Sequence, residues 1–215
     1  MAARVVTVAQ QKGGAGKTTL TAQLAVALAS AGRRVGLIDG DPQESLSAWY
    51  WLRREALAED HDRIVLQGAT GLRAAAVIDR MRRDNDVLVV DSPPHTRSAA
   101  KIAVAKADMV LIPVQLSPMD LWATRPTLEM AEQDGVPALL VLNRVPPRGR
   151  VPELVREAIK ERKLPVARAT LGNRLAFVSS LLDGKGVTET APKSPAAAEI
   201  RALTREVTRR LARLG

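Results

Sequence analysis

The chain has 215 residues, 46% hydrophobic and 26% charged, the profile of a folded domain and not of a disordered tail. It has no cysteine, which excludes disulfides, thiolate zinc sites, cysteine-ligated iron–sulfur clusters and cysteine nucleophiles. Its few aromatics (Trp49, Tyr50, Trp51, Trp122 and Phe177) cannot build a base-stacking platform for single strands. The net charge of +9 is uneven: residues 151–215 carry +6 and residues 1–150 carry +3, which points the last third toward a polyanion such as DNA or toward an anionic membrane surface.

In chain order, near-continuous apolar runs predict strands over 4–9, 34–38, 63–66, 87–90, 109–114 and 138–142, with a weaker one over 166–169. Helical patterns lie between them, near 17–31, 44–58, 71–84, 96–106, 118–134, 151–162, 173–182 and 196–214. This alternation predicts an α/β fold, a doubly wound, mostly parallel sheet flanked by helices, as one domain over 1–215. Ligands of such sheets bind at the carboxyl ends of the strands. The apolar stretch at 5–9 is too short for a signal sequence and no run of 18 apolar residues occurs, so a cytoplasmic location is expected. Loops are predicted at 145–150 and 192–195, and His61 and His95 are too isolated to be ligands.

The first strand leads into Lys12-Gly13-Gly14-Ala15-Gly16-Lys17-Thr18-Thr19, with a helix opening at Lys17. A strand, a glycine-rich loop and a helix aim backbone N–H groups and the helix dipole at a phosphate; Lys17 is placed for the β/γ-phosphates and the Thr18 hydroxyl for Mg²⁺. A plain tight turn would explain the glycines but not Gly-Lys-Thr at the helix mouth. The second strand closes on Asp39-Gly40-Asp41-Pro42-Gln43, two carboxylates able to orient metal-bound waters or accept a proton from an attacking water. The strand over 87–90 closes on Asp91-Ser92-Pro93-Pro94.

The strict phosphate-loop pattern asks for glycine where this chain has Gln11, and a second lysine, Lys12, opens the loop instead. With the carboxylate motifs, this deviant Walker A form resembles the ParA/MinD family of P-loop ATPases, nearest to short, ParF-like partition proteins. The likeness extends to 111–120, to Val141-Leu142-Asn143-Arg144 and to 180–187. The resemblance implies ATP and Mg²⁺ as cofactors, and a homodimer on ATP binding in which Lys12 reaches the partner's phosphates. It implies that Asp41 positions the hydrolytic water, that Asp39 and Asp91 support the metal, and that Asn143 reads adenine. The chain begins directly at the first strand, so no helix-turn-helix is expected ahead of it.

In the last helix Ile200, Leu203, Val207, Leu211 and Leu214 form an apolar stripe, while Arg201, Arg205, Arg209 and Arg213 recur every four residues on another side. Such a row can track phosphates without reading bases, or can simply be a solvated face near the helix's negative end. The resemblance favours nonspecific double-stranded DNA, with Lys160, Arg162, Lys163, Arg168 and Arg174 as further candidates. It also implies a cargo-bound, ParB-like partner that stimulates hydrolysis, and a nucleoid-associated role in partition or positioning. A MinD-like membrane-surface ATPase is the alternative. It is disfavoured because the apolar face lacks Trp and Phe and is the natural docking face against the domain. A P-loop metabolic enzyme, needing a small substrate and indifferent to DNA, is a third reading. The Trp49-Tyr50-Trp51 run is expected to place one ring in the core and leave the others partly exposed.

Overall fold

The computed structural model describes residues 2–57, 63–71, 73–94, 97–146 and 153–214; His61, His95 and the loop residues 147–150 lie outside the described residues. Strands β1 (Arg4–Val8), β2 (Val35–Asp39), β3 (Ile64–Gly68), β4 (Val87–Asp91), β5 (Met109–Val114) and β6 (Ala138–Leu142) form one six-stranded sheet in the order β3-β2-β4-β1-β5-β6. All neighbouring pairs are parallel. The helices are α1 (Lys17–Ser30), α2 (Ser45–Ala56), α3 (Arg73–Met81), α4 (Arg97–Ala105), α5 (Pro118–Trp122), α6 (Arg125–Gln133), α7 (Glu153–Glu161), α8 (Leu175–Leu182), α9 (Val187–Thr190) and α10 (Pro195–Leu211).

The continuous apolar runs have a direct cause in this layering. Every residue of β2, β4 and β5 is buried, whereas the edge strand β3 leaves every residue after Ile64 exposed or half-exposed. Alternate side chains serve opposite faces. Val6, Val8, Leu37, Val89, Leu111 and Val141 join the core cluster that contains α1 and α10. Val5, Ile38, Leu88 and Val90 pack with α3, and Val110, Ile112 and Leu140 with α4 and α6.

Three elements differ from the sequence expectation. The helix expected over 118–134 is two, because Pro126 cannot supply an N–H to the preceding turn and Thr124 Oγ1 donates back to the Leu121 carbonyl at 2.6 Å. The seventh strand is reduced to an isolated parallel bridge between Val166 and Leu140, although Ala167 N–H still donates to Leu140 O at 2.8 Å. Helix α9 has no counterpart in the sequence expectation; four residues are too few to show a period, and its Glu189 side chain accepts from Gly186 N–H at 2.9 Å.

Of the three consecutive rings, Trp49 and Tyr50 are buried and Trp51 is exposed, one more buried ring than expected. Arg53, on the same helix, is 2% exposed, lies over the Trp49 ring and makes a two-pronged ion pair with Glu189 at 2.9 and 3.0 Å. That pair pins α2 to α9. Replacing Glu189 with Ala takes away the carboxylate that α9 offers the buried Arg53 guanidinium, so thermal unfolding of Glu189→Ala is expected to show a loss of about 2–4 kcal/mol. A change below half a kcal/mol would mean that the pair does not hold α2 in place.

Candidate functional site

Between Val8 and Lys17 the chain must turn over the carboxyl edge of the sheet and enter a helix. Gly16 does this in the left-handed region (φ 91°), and a Cβ there would lie 2.6 Å from Asn143 Nδ2. The carbonyls of the loop are held from outside: Gln115 Nε2 donates to Gly14 O and Asn143 Nδ2 to Ala15 O, each at 2.9 Å. The amides of Gly13, Gly14, Ala15 and Gly16 find no acceptor among the described residues. With the first turn of α1, they form a set of donors around a cavity of about 540 Å³. Gly13, Gly14, Gly16, Lys17, Thr18, Thr19 and Asp41 line it, and Ala15 does not.

The parallel register brings the strand ends together: Asp39 of β2 is level with Asp91 of β4, and Asp91 with Val8 of β1. Gly40 must be small here, since a Cβ would lie 2.9 Å from the Asp91 carbonyl oxygen. Asp91 is buried; its Oδ2 accepts from Thr18 Oγ1 at 2.6 Å and its Oδ1 has no partner among the described residues. Burial pushes its carboxyl up to about 7, with the charges of Asp39 and Asp41 adding to the rise and the Thr18 bond and Lys17 opposing it. Burial also lowers the Lys17 ammonium from its ordinary value, against the pull of Asp91 and Asp41.

A hydroxyl and an under-satisfied carboxylate oxygen, both hard donors, fit Mg²⁺. No group of three or more His, Asp or Glu side chains among the described residues could cage a metal. A cation here would therefore also need phosphate oxygens and water. Asp39 is less open than expected of a metal's outer shell. Its oxygens accept from Asp41 N–H at 3.1 Å and from Ser47 N–H and Oγ–H, both at 2.8 Å, so it anchors the Asp41 loop and the start of α2. Asp41 is half-exposed, with Oδ1 accepting from Gln43 N–H at 3.0 Å.

Lys12 stands beside the cavity without lining it. Its Nζ pairs with Asp120 Oδ1 at 2.5 Å, and Ser117 Oγ donates to the other carboxylate oxygen. Burial alone would raise Asp120, but the hydrogen bonds from Lys12 and Ser117 together hold it below its ordinary value. Sequence reasoning gave Asp120 no role, although Ser117-Pro118-Met119-Asp120 carries the signal of a capped helix start, and Ser117 Oγ caps α5. Asn143 lines a narrow second slot beside the loop, with Arg144, Arg174, Phe177 and Val178. Its amide already bonds Ala15 O, and its carbonyl accepts from Arg144 N–H at 2.9 Å, so its first role is to position the phosphate loop.

The basic row of α10 divides. Arg201 is half-buried and donates to the Pro192 carbonyl, whereas Arg205, Arg209 and Arg213 are exposed. Arg209, Arg210 and Arg213 share a cleft with Arg168 around the buried Glu206, which accepts from Arg168 N–H at 2.9 Å and pairs with Arg210 at 3.0 Å. Arg174 is occupied elsewhere, bonded twice to Glu199 at 2.6 and 2.9 Å. The apolar stripe of Ile200, Leu203, Val207 and Leu211 is buried against the body of the protein, and Leu214 lies beyond the helix. No helix among the described residues is long and apolar enough to cross a membrane.

Because folded Asp91 keeps a proton that the unfolded chain has lost, nucleotide-free stability falls as pH rises from the ordinary carboxyl value of 3.8 to about 7, then levels. Asp91→Asn should remove that slope and melt several degrees higher than the parent above pH 7. Parallel melting curves for the two proteins across pH 4–8 would contradict it.

The family model described as the CobQ/CobB/MinD/ParA nucleotide binding domain matches residues 6–187. The "Maintenance of carboxysome distribution protein A" of Halothiobacillus neapolitanus is 33% identical over 214 residues, covering 93% of this chain and 94% of that protein. Among solved structures, the septum site-determining protein MinD complexed with Mg-ADP from Pyrococcus horikoshii superposes with a TM-score of 0.80 at 22% identity, over 99% of both chains. A single-residue variant of Cyanothece McdA in complex with ATP gives a TM-score of 0.74 at 18% identity, over 95% of both. The sheet, its helices and the phosphate loop thus have their counterpart in a known group, and the chain belongs to the CobQ/CobB/MinD/ParA family of nucleotide-binding domains.

Proposed function

We propose that this protein is a Mg²⁺-dependent ATPase that acts as a positioning switch. It pairs with a second copy around two ATP molecules, binds double-stranded DNA without sequence preference in that state, and releases it on hydrolysis prompted by a cargo-bound, ParB-like partner. The observation that carries this reading is Lys12: a cation at the rim of the phosphate cavity that lies outside its own cavity. A lysine so placed is suited to serve a facing copy, in the manner of a cation supplied in trans. The likeness to a carboxysome distribution protein supports a protein assembly, more than a plasmid, as cargo.

In this reading the loop amides and Lys17 hold the β- and γ-phosphates. Thr18 and Asp91 would hold Mg²⁺, which when bound would neutralise charge on the phosphate oxygens. Asp41 Oδ1 is held by Gln43, and Oδ2 has no hydrogen bond among the described residues, so that oxygen can orient a water in line with the γ-phosphate. Catalysis is then positioning and charge neutralisation, with no covalent step on the protein. The buried apolar face of α10 supports DNA over lipid as the surface this helix meets, since its hydrophobic side is already covered. Such a protein would act in the cytoplasm, on the nucleoid.

Asp41→Ala should still bind ATP but lose turnover and stay on DNA as a dimer, as read by sedimentation and gel shift with hydrolysable ATP. Equal loss of binding and hydrolysis would remove Asp41 from the water's site. Lys12→Ala should abolish both turnover and dimer formation; unchanged turnover ends the switch reading.

Arg205→Ala combined with Arg209→Ala should weaken binding evenly across unrelated duplexes and flatten the salt dependence by about two units of slope. Co-sedimentation with anionic liposomes but no duplex shift at matched salt would instead favour the membrane.

A further inference from the structure

Lys12 has two claims on its one charge. In the single chain its Nζ lies 2.5 Å from Asp120 Oδ1, and Ser117 Oγ donates to the other oxygen of that carboxylate. In the switch reading the same ammonium must point outward, at the phosphates of a facing copy. An ammonium in contact with a carboxylate is largely cancelled for any third group, so the two positions exclude each other.

The surroundings suit a pair that opens. Asp120 is its fixed half: the side chain is 10% exposed, and the backbone N–H is bonded to Ser117 Oγ at 3.1 Å at the start of α5. Lys12 is the movable half, with a side chain 43% exposed on a flexible four-carbon stem. Its backbone N–H donates to Gln10 Oε1 at 3.4 Å, so departure is a rotation of the side chain and displaces no element. The cap of α5 is made by Ser117 and does not need the lysine. A triphosphate carries several negative charges against one on Asp120, so a loaded facing site can take the ammonium and an empty one cannot. Resting on the switch reading of Lys12, we infer that Asp120 is an autoinhibitory latch, holding Lys12 against its own chain until a facing copy loaded with triphosphate draws it away. Two latches open per dimer, so a penalty of about threefold in each copy becomes about tenfold in the dimer constant.

The test is sedimentation of the 215-residue protein over a range of concentrations, with Mg²⁺ and the slowly hydrolysed analogue adenylyl imidodiphosphate. Asp120→Asn keeps the size of the side chain and removes its charge, and Asp120→Ala removes the side chain; melting temperatures report whether each is folded. Both should form the dimer at about tenfold lower protein concentration than the parent. Unchanged dimer formation in the folded variants overturns the latch, and so does weaker formation, which would make Asp120 a support that aims Lys12. Lys12→Ala combined with Asp120→Asn should form no dimer. A dimer there also overturns the latch, because Asp120 would then act by repelling the facing phosphates and not through Lys12. If neither the parent nor Asp120→Asn pairs at saturating analogue, the switch reading itself falls and takes the latch with it.

Discussion

The Asp91 carboxylate sits at the end of a strand covered on both faces, one oxygen bonded to Thr18 and the other without a partner among the described residues. Taking such a group out of water costs several kcal/mol unless a cation or a donor compensates, and Lys17 offsets only part of it. The parallel register that aligns β1, β2 and β4 creates this strain, because it delivers three strand ends to one edge. The glycine-rich turn, the open amides above it and the small residue at Gly40 are the surroundings that keep the edge tight, and in the proposed function a phosphate and a metal complete it. An edge so built favours whatever brings a positive charge to that oxygen.

Much of this was legible in the residues because each motif sits where two levels of order coincide. Val87-Leu88-Val89-Val90 reads as a covered strand and Asp91 as its cap, and both follow from one sheet. The seventh strand failed because Val166 makes a single bridge to Leu140 before the chain turns away, which no local apolar pattern can reveal. The break before α6 was visible in Pro126, but periodic residues on both sides concealed it. Asp120 and Arg53 could not be matched to Lys12 and Glu189 by spacing, since those partners lie 108 and 136 positions away, and the bond from the Arg168 amide to Glu206 spans 38 although Arg210 lies only four residues on.

The α10 arginines show why a charge row is an incomplete description. Glu206 lies within that row in sequence, yet it is buried beneath it and draws Arg168 and Arg210 into the same cleft as Arg209 and Arg213. Glu206 holds Arg168 by its backbone N–H and Arg210 by its guanidinium, so a stretch of even positive charge becomes a cleft with a geometry. Arg201, although in phase with the row, is held apart by the Pro192 carbonyl.

The segment carrying Asp41 is clamped at both ends. Asp39 grips the first turn of α2 through Ser47, and farther along the same helix Arg53 is locked to Glu189. Any rearrangement is therefore left to about a half-dozen residues, with Glu44 already in a left-handed conformation (φ 53°) as the pivot. A pivot that short has a small throw, and a response so confined would be local and quick to reset, without help from the sheet or its flanking helices.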